Sequence, residues 1–240
     1  KLVISKDGDA LFVMPDGIRL EAESISLTIL FETWLYDVHF LGFDLSNWLV
    51  VDVGAFVGDT ALYYAKRGAF VIAIEPVPSH FETMLKNLEL NPGLKPRILP
   101  INAAIADKDE YVEIAVDGEF DSDASMYKSG IKRVRATAYT LRSLLNYVKG
   151  LGIVIDAFRT KALKMDCKGC EWDVVNNELD TLKIFDIIKI EYSAYLRNYS
   201  VDQLISRIET AGYKCRKYAH NAIAVKMGLN KHGSITCMRP

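Results

Sequence analysis

From residue 48 onward the chain alternates apolar runs with amphipathic ones, and that rhythm constrains the fold more than any other feature. "WLVVDVG" (48–54), "FVIAIE" (70–75) and "ALKMD" (162–166) are mostly apolar runs that stop at Gly54, Glu75 and Asp166. Runs of this kind fit strands buried on both faces of a parallel sheet. Between them lie helical patterns; "TLRSLLNYV" puts Leu141, Leu144, Leu145 and Val148 on one face. Strands alternating with helices predict an α/β fold: a doubly wound, mostly parallel seven-strand sheet, Rossmann-like, with helices on both sides. In such a sheet a ligand sits outside the carboxyl ends of the strands. Gly54, Glu75 and Asp166 all fall at such ends.

The rest of the chain is organised around that unit. Residues 1–29 hold short strands separated by "KDGD" and "PDG", both turn signals, and predict an N-terminal β meander. The main domain is expected over 30–240, with a β insertion near 108–138, where "EYVEIAV" and "KRVRATAY" alternate around a Gly-, Ser- and Asp-rich tip. That tip reads either as a lid over the pocket or as a solvated hairpin end. Asp59 or Thr60 is the expected cap of the helix after Gly54. Ser79 with Glu82, and Ser200 with Gln203, have capping-box spacing. "YKCRKYA", "NAIAVKM" and "SITCMRP" close the chain as an antiparallel set.

Composition excludes some functions. The 240 residues carry a formal net charge of −2, which gives no electrostatic footprint for nucleic acid. No apolar run is long enough to span a bilayer. Four cysteines do not make a disulfide-rich secreted domain, so the cytoplasm is the default expectation. His39, His80, His220 and His232 have no metal spacing, and no metal is expected.

The turn after the first buried strand, "VDVGAFVGDT", has glycines spaced G-x-x-x-G. Gly54 permits a sharp turn and a close ligand, and the following helix start offers free N–H groups. Glu75 follows at the distance where an acid accepts from ribose hydroxyls. The middle glycine that makes room for a pyrophosphate is missing. A cofactor with a ribose and a carboxylate but no phosphate fits better, and S-adenosylmethionine is such a molecule.

"VVDVGAFVGDTALYYAKRGAFVIAIEPVPSHFETMLKNLELN" resembles the cofactor-binding half of FkbM-type methyltransferases, within the class I S-adenosylmethionine-dependent fold. "LKMDCKGCEWDVV" is similar to that family's second signature. The resemblance implies O-methylation of a hydroxyl on a small molecule, sugar or glycolipid. It implies cofactor contacts from Asp52, Gly54, Ala55, Phe56, Gly58, Asp59 and Thr60 at the turn, and from Glu75 and Pro76 at the ribose. Asn102, Ala103 and Asp107, after the third strand, are expected near the adenine. Phe56 and Lys168 depart from the family pattern, which commonly has Asn and Glu there.

A hydroxyl acceptor benefits from a base. Asp166 is the first candidate, then Glu171 and Glu191. Each also has a plain structural role open to it: a turn cap, a first-turn helix acid and a surface ion pair. The CxxC of Cys167 and Cys170 lacks the partners zinc needs. The cysteines read as small apolar packing residues, with a disulfide as the secondary alternative. The competing functional readings are a tRNA methyltransferase, which needs a basic appendage, and a non-catalytic S-adenosylmethionine-binding module.

Overall fold

The computed structural model describes residues 1–4, 8–35, 40, 42–193, 200–219 and 232–240. The central sheet has seven strands: β4 (Trp48–Val53), β5 (Phe70–Ile74), β6 (Ile98–Ile101), β10 (Thr160–Met165), β11 (Ile187–Ser193), β12 (Lys214–Ala219) and β13 (His232–Met238). Their spatial order is β12-β13-β11-β10-β4-β5-β6. All neighbours are parallel except those of β13, which runs antiparallel to β11 and β12. The order reverses between β4 and β10, so the crevice that defines the site opens at their carboxyl ends.

The period of two in each strand divides the core. On β4, Leu49, Val51 and Val53 face one helical layer, while Trp48 and Val50 face the other. The first layer holds α4 (Leu141–Gly150), α5 (Cys170–Asn177), the short α6 (Leu179–Leu182) and α7 (Val201–Thr210), reached through residues such as Leu144, Val174, Leu182 and Leu204. The second holds α2 (Asp59–Lys66) and α3 (Pro78–Glu89). Every β4 residue is buried, as expected of a strand covered on both faces.

Three helix starts can be compared with their predicted caps. Ser200 caps α7, its hydroxyl accepting from the Gln203 N–H. Ser79 does not cap α3, which begins one residue earlier at Pro78 with Val77 at the N-cap position. Proline fits the first turn because its missing N–H would have no intrahelical partner there. Gly58, not Asp59 or Thr60, occupies the cap position of α2.

The N-terminal sheet, β1 (Leu2–Ile4), β2 (Ala10–Val13) and β3 (Arg19–Glu21), is an antiparallel meander. It docks on α3 and the turn that follows it through side-chain amides. Asn91 Oδ1 accepts from Arg19 N at 3.0 Å, and Asn87 Oδ1 accepts from Glu21 N at 2.9 Å. These amides satisfy an edge strand that would otherwise show bare backbone groups. A single helical turn, α1 (Leu27–Leu30), and a wider turn over Phe31–Leu35 then pass the crevice. Trp34 and Phe40 pack into the second layer. "NAIAVKM" lies outside the described residues.

The insertion forms a third sheet, β7 (Ala104–Ile105), β9 (Lys132–Tyr139) and β8 (Glu110–Val116). Its tip folds back on itself: Ser125 N and O both bond to Ala115, at 3.2 and 2.9 Å.

Candidate active site

A cleft of about 400 Å³ opens at the carboxyl ends of β4, β5, β10 and β11. Gly54 begins it. Its φ is +82°, and a Cβ there would stand 2.1 Å from the Asp166 carbonyl oxygen. Only glycine lets the β4 and β10 exits lie this close. Lys164, the penultimate residue of β10, fixes the turn: its Nζ donates to Gly54 O at 3.1 Å and pairs with Asp52 at 2.9 Å. Burial pulls the Lys164 pKa down, but the charges of Asp52 and Asp166 outweigh it and the net shift is upward.

Glu75 forms the next wall. Phe56 N donates to its Oε2 and Val77 N to its Oε1, each at 2.9 Å. Two backbone bonds hold the carboxylate in one orientation and leave lone pairs on both oxygens. His80 stands behind it, with Nδ1 3.4 Å from Glu75 Oε1 and its ring edge-on to Phe56 at 4.7 Å. His80 is buried and lines the cleft, and its Nε2 has no hydrogen-bond partner among the described residues. Asp59, also on the wall, is pushed up to about 7 by burial, against the pull of Lys164.

The opposite end is built around Lys168. Its ammonium lies 2.8 Å from Asp166, 3.5 Å from Glu191 and 3.8 Å from Asp123. Burial, then the Asp166 charge, push Glu191 up to about 7, while Lys168 pulls the other way. Glu32 is raised by the same two causes. The insertion tip supplies Asp121 to Met126 to this wall. Ser125 donates to Lys168 O at 2.7 Å, so the tip is seated on the β10 exit and is not a solvated hairpin end.

Of the residues expected at the site, Gly54, Phe56, Asp59, Thr60, Glu75, Pro76, Ala103, Asp166 and Glu191 line the cleft. The others lie off its wall. Asp52 is fully buried and accepts from Thr60 Oγ1 at 2.6 Å. Ala55 is packed in the core, its N–H bonded to Ile74 O. Gly58 caps α2. Asn102 braces the Glu75–Pro76 turn, its amide donating to Glu75 O at 2.8 Å. Asp107 is exposed beyond β7.

Glu171 is fully buried beneath the β10 exit loop, where it accepts from Cys167 N at 3.1 Å and Gly169 N at 2.8 Å. Its carboxylate ties the loop and is absent from the cleft wall. The cysteines also differ from expectation. Cys167 is bonded to Cys170, and Cys215 to Cys237. The second pair sits directly opposite in register on β12 and β13, where Cβ atoms approach closely. No group able to hold a metal occurs among the described residues. His39 and His220 lie outside them.

Sequence reasoning passed over Glu32 and Lys164, and considered His80 only as a metal ligand; the tip it offered as a lid or a solvated hairpin end. One of these had a usable signal: a lysine inside a buried strand must find a partner or lose its charge.

A family model for the methyltransferase FkbM domain matches residues 52–215. The chain belongs to the FkbM methyltransferase family. Curated proteins gave no match. The structure of an FkbM methyltransferase from Methylobacillus flagellatus KT has a TM-score of 0.54 to this one at 17% identity, over 83% of this chain and 45% of that one. This FkbM chain thus spans less than half the length of that relative. Precorrin-6y C5,15-methyltransferase from Geobacter metallireducens GS-15 covers 94% of this chain and 95% of its own at TM-score 0.45 and 10% identity. The O-methyltransferase TomG from Streptomyces achromogenes, solved in complex with SAM, covers 82% and 75% at TM-score 0.44 and 10% identity.

Proposed function

We propose that this FkbM domain transfers the methyl group of S-adenosylmethionine to a hydroxyl of a small molecule, sugar or glycolipid. The observation that carries the reading is the fixed Glu75 carboxylate beside the unpartnered, buried His80 Nε2. A ribose presents hydroxyls that bond to the first, and a ligand polar atom would complete the second. Gly54, Phe56 and Thr60 would line the methionine side, and Pro76 and Ala103 the adenine side.

Bound there, the cofactor supplies a methyl carbon on a sulfonium, which leaves as a neutral thioether when the acceptor oxygen takes the methyl. The protein's part is to align the acceptor and remove its proton. Alignment of this kind is worth on the order of 7–11 kcal/mol. Glu191 is the better base. A carboxylate that titrates near 7 is matched to work near neutral pH. Asp166 sits closer to Lys168 and serves as its orienting partner. Glu171 is given a structural role, because its carboxylate is tied to the loop backbone and does not line the cleft.

Calorimetric titration with S-adenosylmethionine tests the proposal. No heat at millimolar cofactor would sink it. Methyl-transfer assays on extracted sugars, lipids and RNA then identify the acceptor, and transfer to RNA alone would replace the small-molecule reading.

A further inference from the structure

Lys168 is unusual twice over. Its backbone has φ of +52°, a region that L-residues other than Asn and Asp seldom occupy. Its side chain is also buried while bearing a charge. Strain of this sort persists only where the surroundings impose it. Here Ser125 holds the Lys168 carbonyl from one side, and the next N–H, at Gly169, is held by Glu171. Gly169 itself leaves room for Tyr127: a Cβ there would lie 2.2 Å from the Tyr127 ring. The loop and the insertion tip are therefore built against each other, and the product of that fit is an ammonium aimed at three carboxylates.

Those carboxylates come from three separate parts of the chain. Asp166 follows β10, Glu191 lies in β11 and Asp123 belongs to the tip. The charged groups acting on Glu191 include Asp166 and Lys168 from the β10 exit, Lys164 from β10 and Glu32 from the Phe31–Leu35 turn. Its partner across β13 is the neutral Ser234. With Lys168 removed, Asp166, Glu191 and Glu32 would crowd one end of the cleft. Like charges at such range cannot all stay ionised, and one would take up a proton.

We propose that Lys168 is a positioning residue of the acceptor end: it favours the carboxylate form of Glu191, the base, and clips the insertion tip over the acceptor through Asp123. This deepens the methyl-transfer reading and rests on it. The departure from the acid common at this position in the family is then functional. An acid there would add a fourth negative group to the cluster; the lysine instead supplies its countercharge.

The test needs no acceptor. Carbon-13 carboxyl NMR follows the Glu191 titration in the wild type and in Lys168→Met, with S-adenosylmethionine titrated into both. We expect the Glu191 midpoint to rise by about 1–3 pH units in the variant, the range an opposite charge at this distance supplies. Cofactor affinity should be unchanged. An unchanged midpoint overturns the proposal. Absence of cofactor binding in both proteins overturns the methyl-transfer reading instead, and the midpoint still reports on Lys168. Should Lys168→Met not fold, Asp123→Asn tests the clip by hydrogen exchange. Several-fold faster exchange across residues 117–131 supports the proposal, and unaltered exchange refutes it.

Discussion

Glu171 offers a direct test of how the β10 exit loop is held. Its carboxyl is buried without exposure and accepts two backbone N–H groups. Burial pushes its pKa from the ordinary 4.5 up to about 7. A folded-state pKa above the unfolded one means that the native protein binds the proton more tightly. Stability from this group is therefore fully present below about pH 4.5 and is lost as pH rises through 7. Between pH 5 and pH 8 that loss integrates to about 2.5 kcal/mol. Glu171→Gln removes the titration but replaces one acceptor oxygen with an amide, which leaves an N–H without its partner at about 1–3 kcal/mol. The variant should thus be less stable than the wild type at pH 5, with the gap closed or reversed at pH 8. For a chain of this length the change in the gap corresponds to about 5–10 °C in Tm. Thermal melts of both proteins at several pH values read it. A constant difference in Tm from pH 5 to pH 8 would refute the assignment of this proton to Glu171.

Three further outcomes follow from the geometry. Gly54→Ala forces a Cβ to 2.1 Å from Asp166 O at a positive φ and should remove at least about 2 kcal/mol of stability, read as a lower Tm; an unshifted melt would contradict the close approach of β4 and β10. Glu75→Gln should weaken S-adenosylmethionine by about 10–100-fold, the worth of a charge-assisted hydrogen bond, and an equal Kd would remove Glu75 from the ribose. Replacing Cys215 and Cys237 by serine opens a bridge between residues 22 apart, which should lower stability by about 3 kcal/mol; identical melts with and without a thiol reductant would count against the bridge.

Much of this architecture was legible in the residues. The β4, β5 and β10 runs end where they do because strands covered on both faces tolerate almost no polar residue except at their exits. Gly54 and Glu75 could be placed on the cleft for that reason: a glycine and an acid directly after a buried strand have few other places to go. Asn102 and Asp107 show the limit. Both follow β6, but one turns its amide back to brace Glu75 O and the other faces solvent. A difference of a few residues past a strand end is set by loop geometry, which no periodicity encodes.

The sequence by itself determined the layer order, the strand exits and the family, because hydrophobic period and turn chemistry are local properties. Tertiary structure decided what depends on residues distant in the chain. Lys168 acquires its role from Asp123 and Glu191, 45 residues before it and 23 after it. Lys164 acquires its role from Asp52. The cysteines, read along the chain as small packing residues, face each other in bonded pairs. Charge pairing and disulfide geometry act over a few ångströms of space and not along the chain, so only the folded molecule could reveal them.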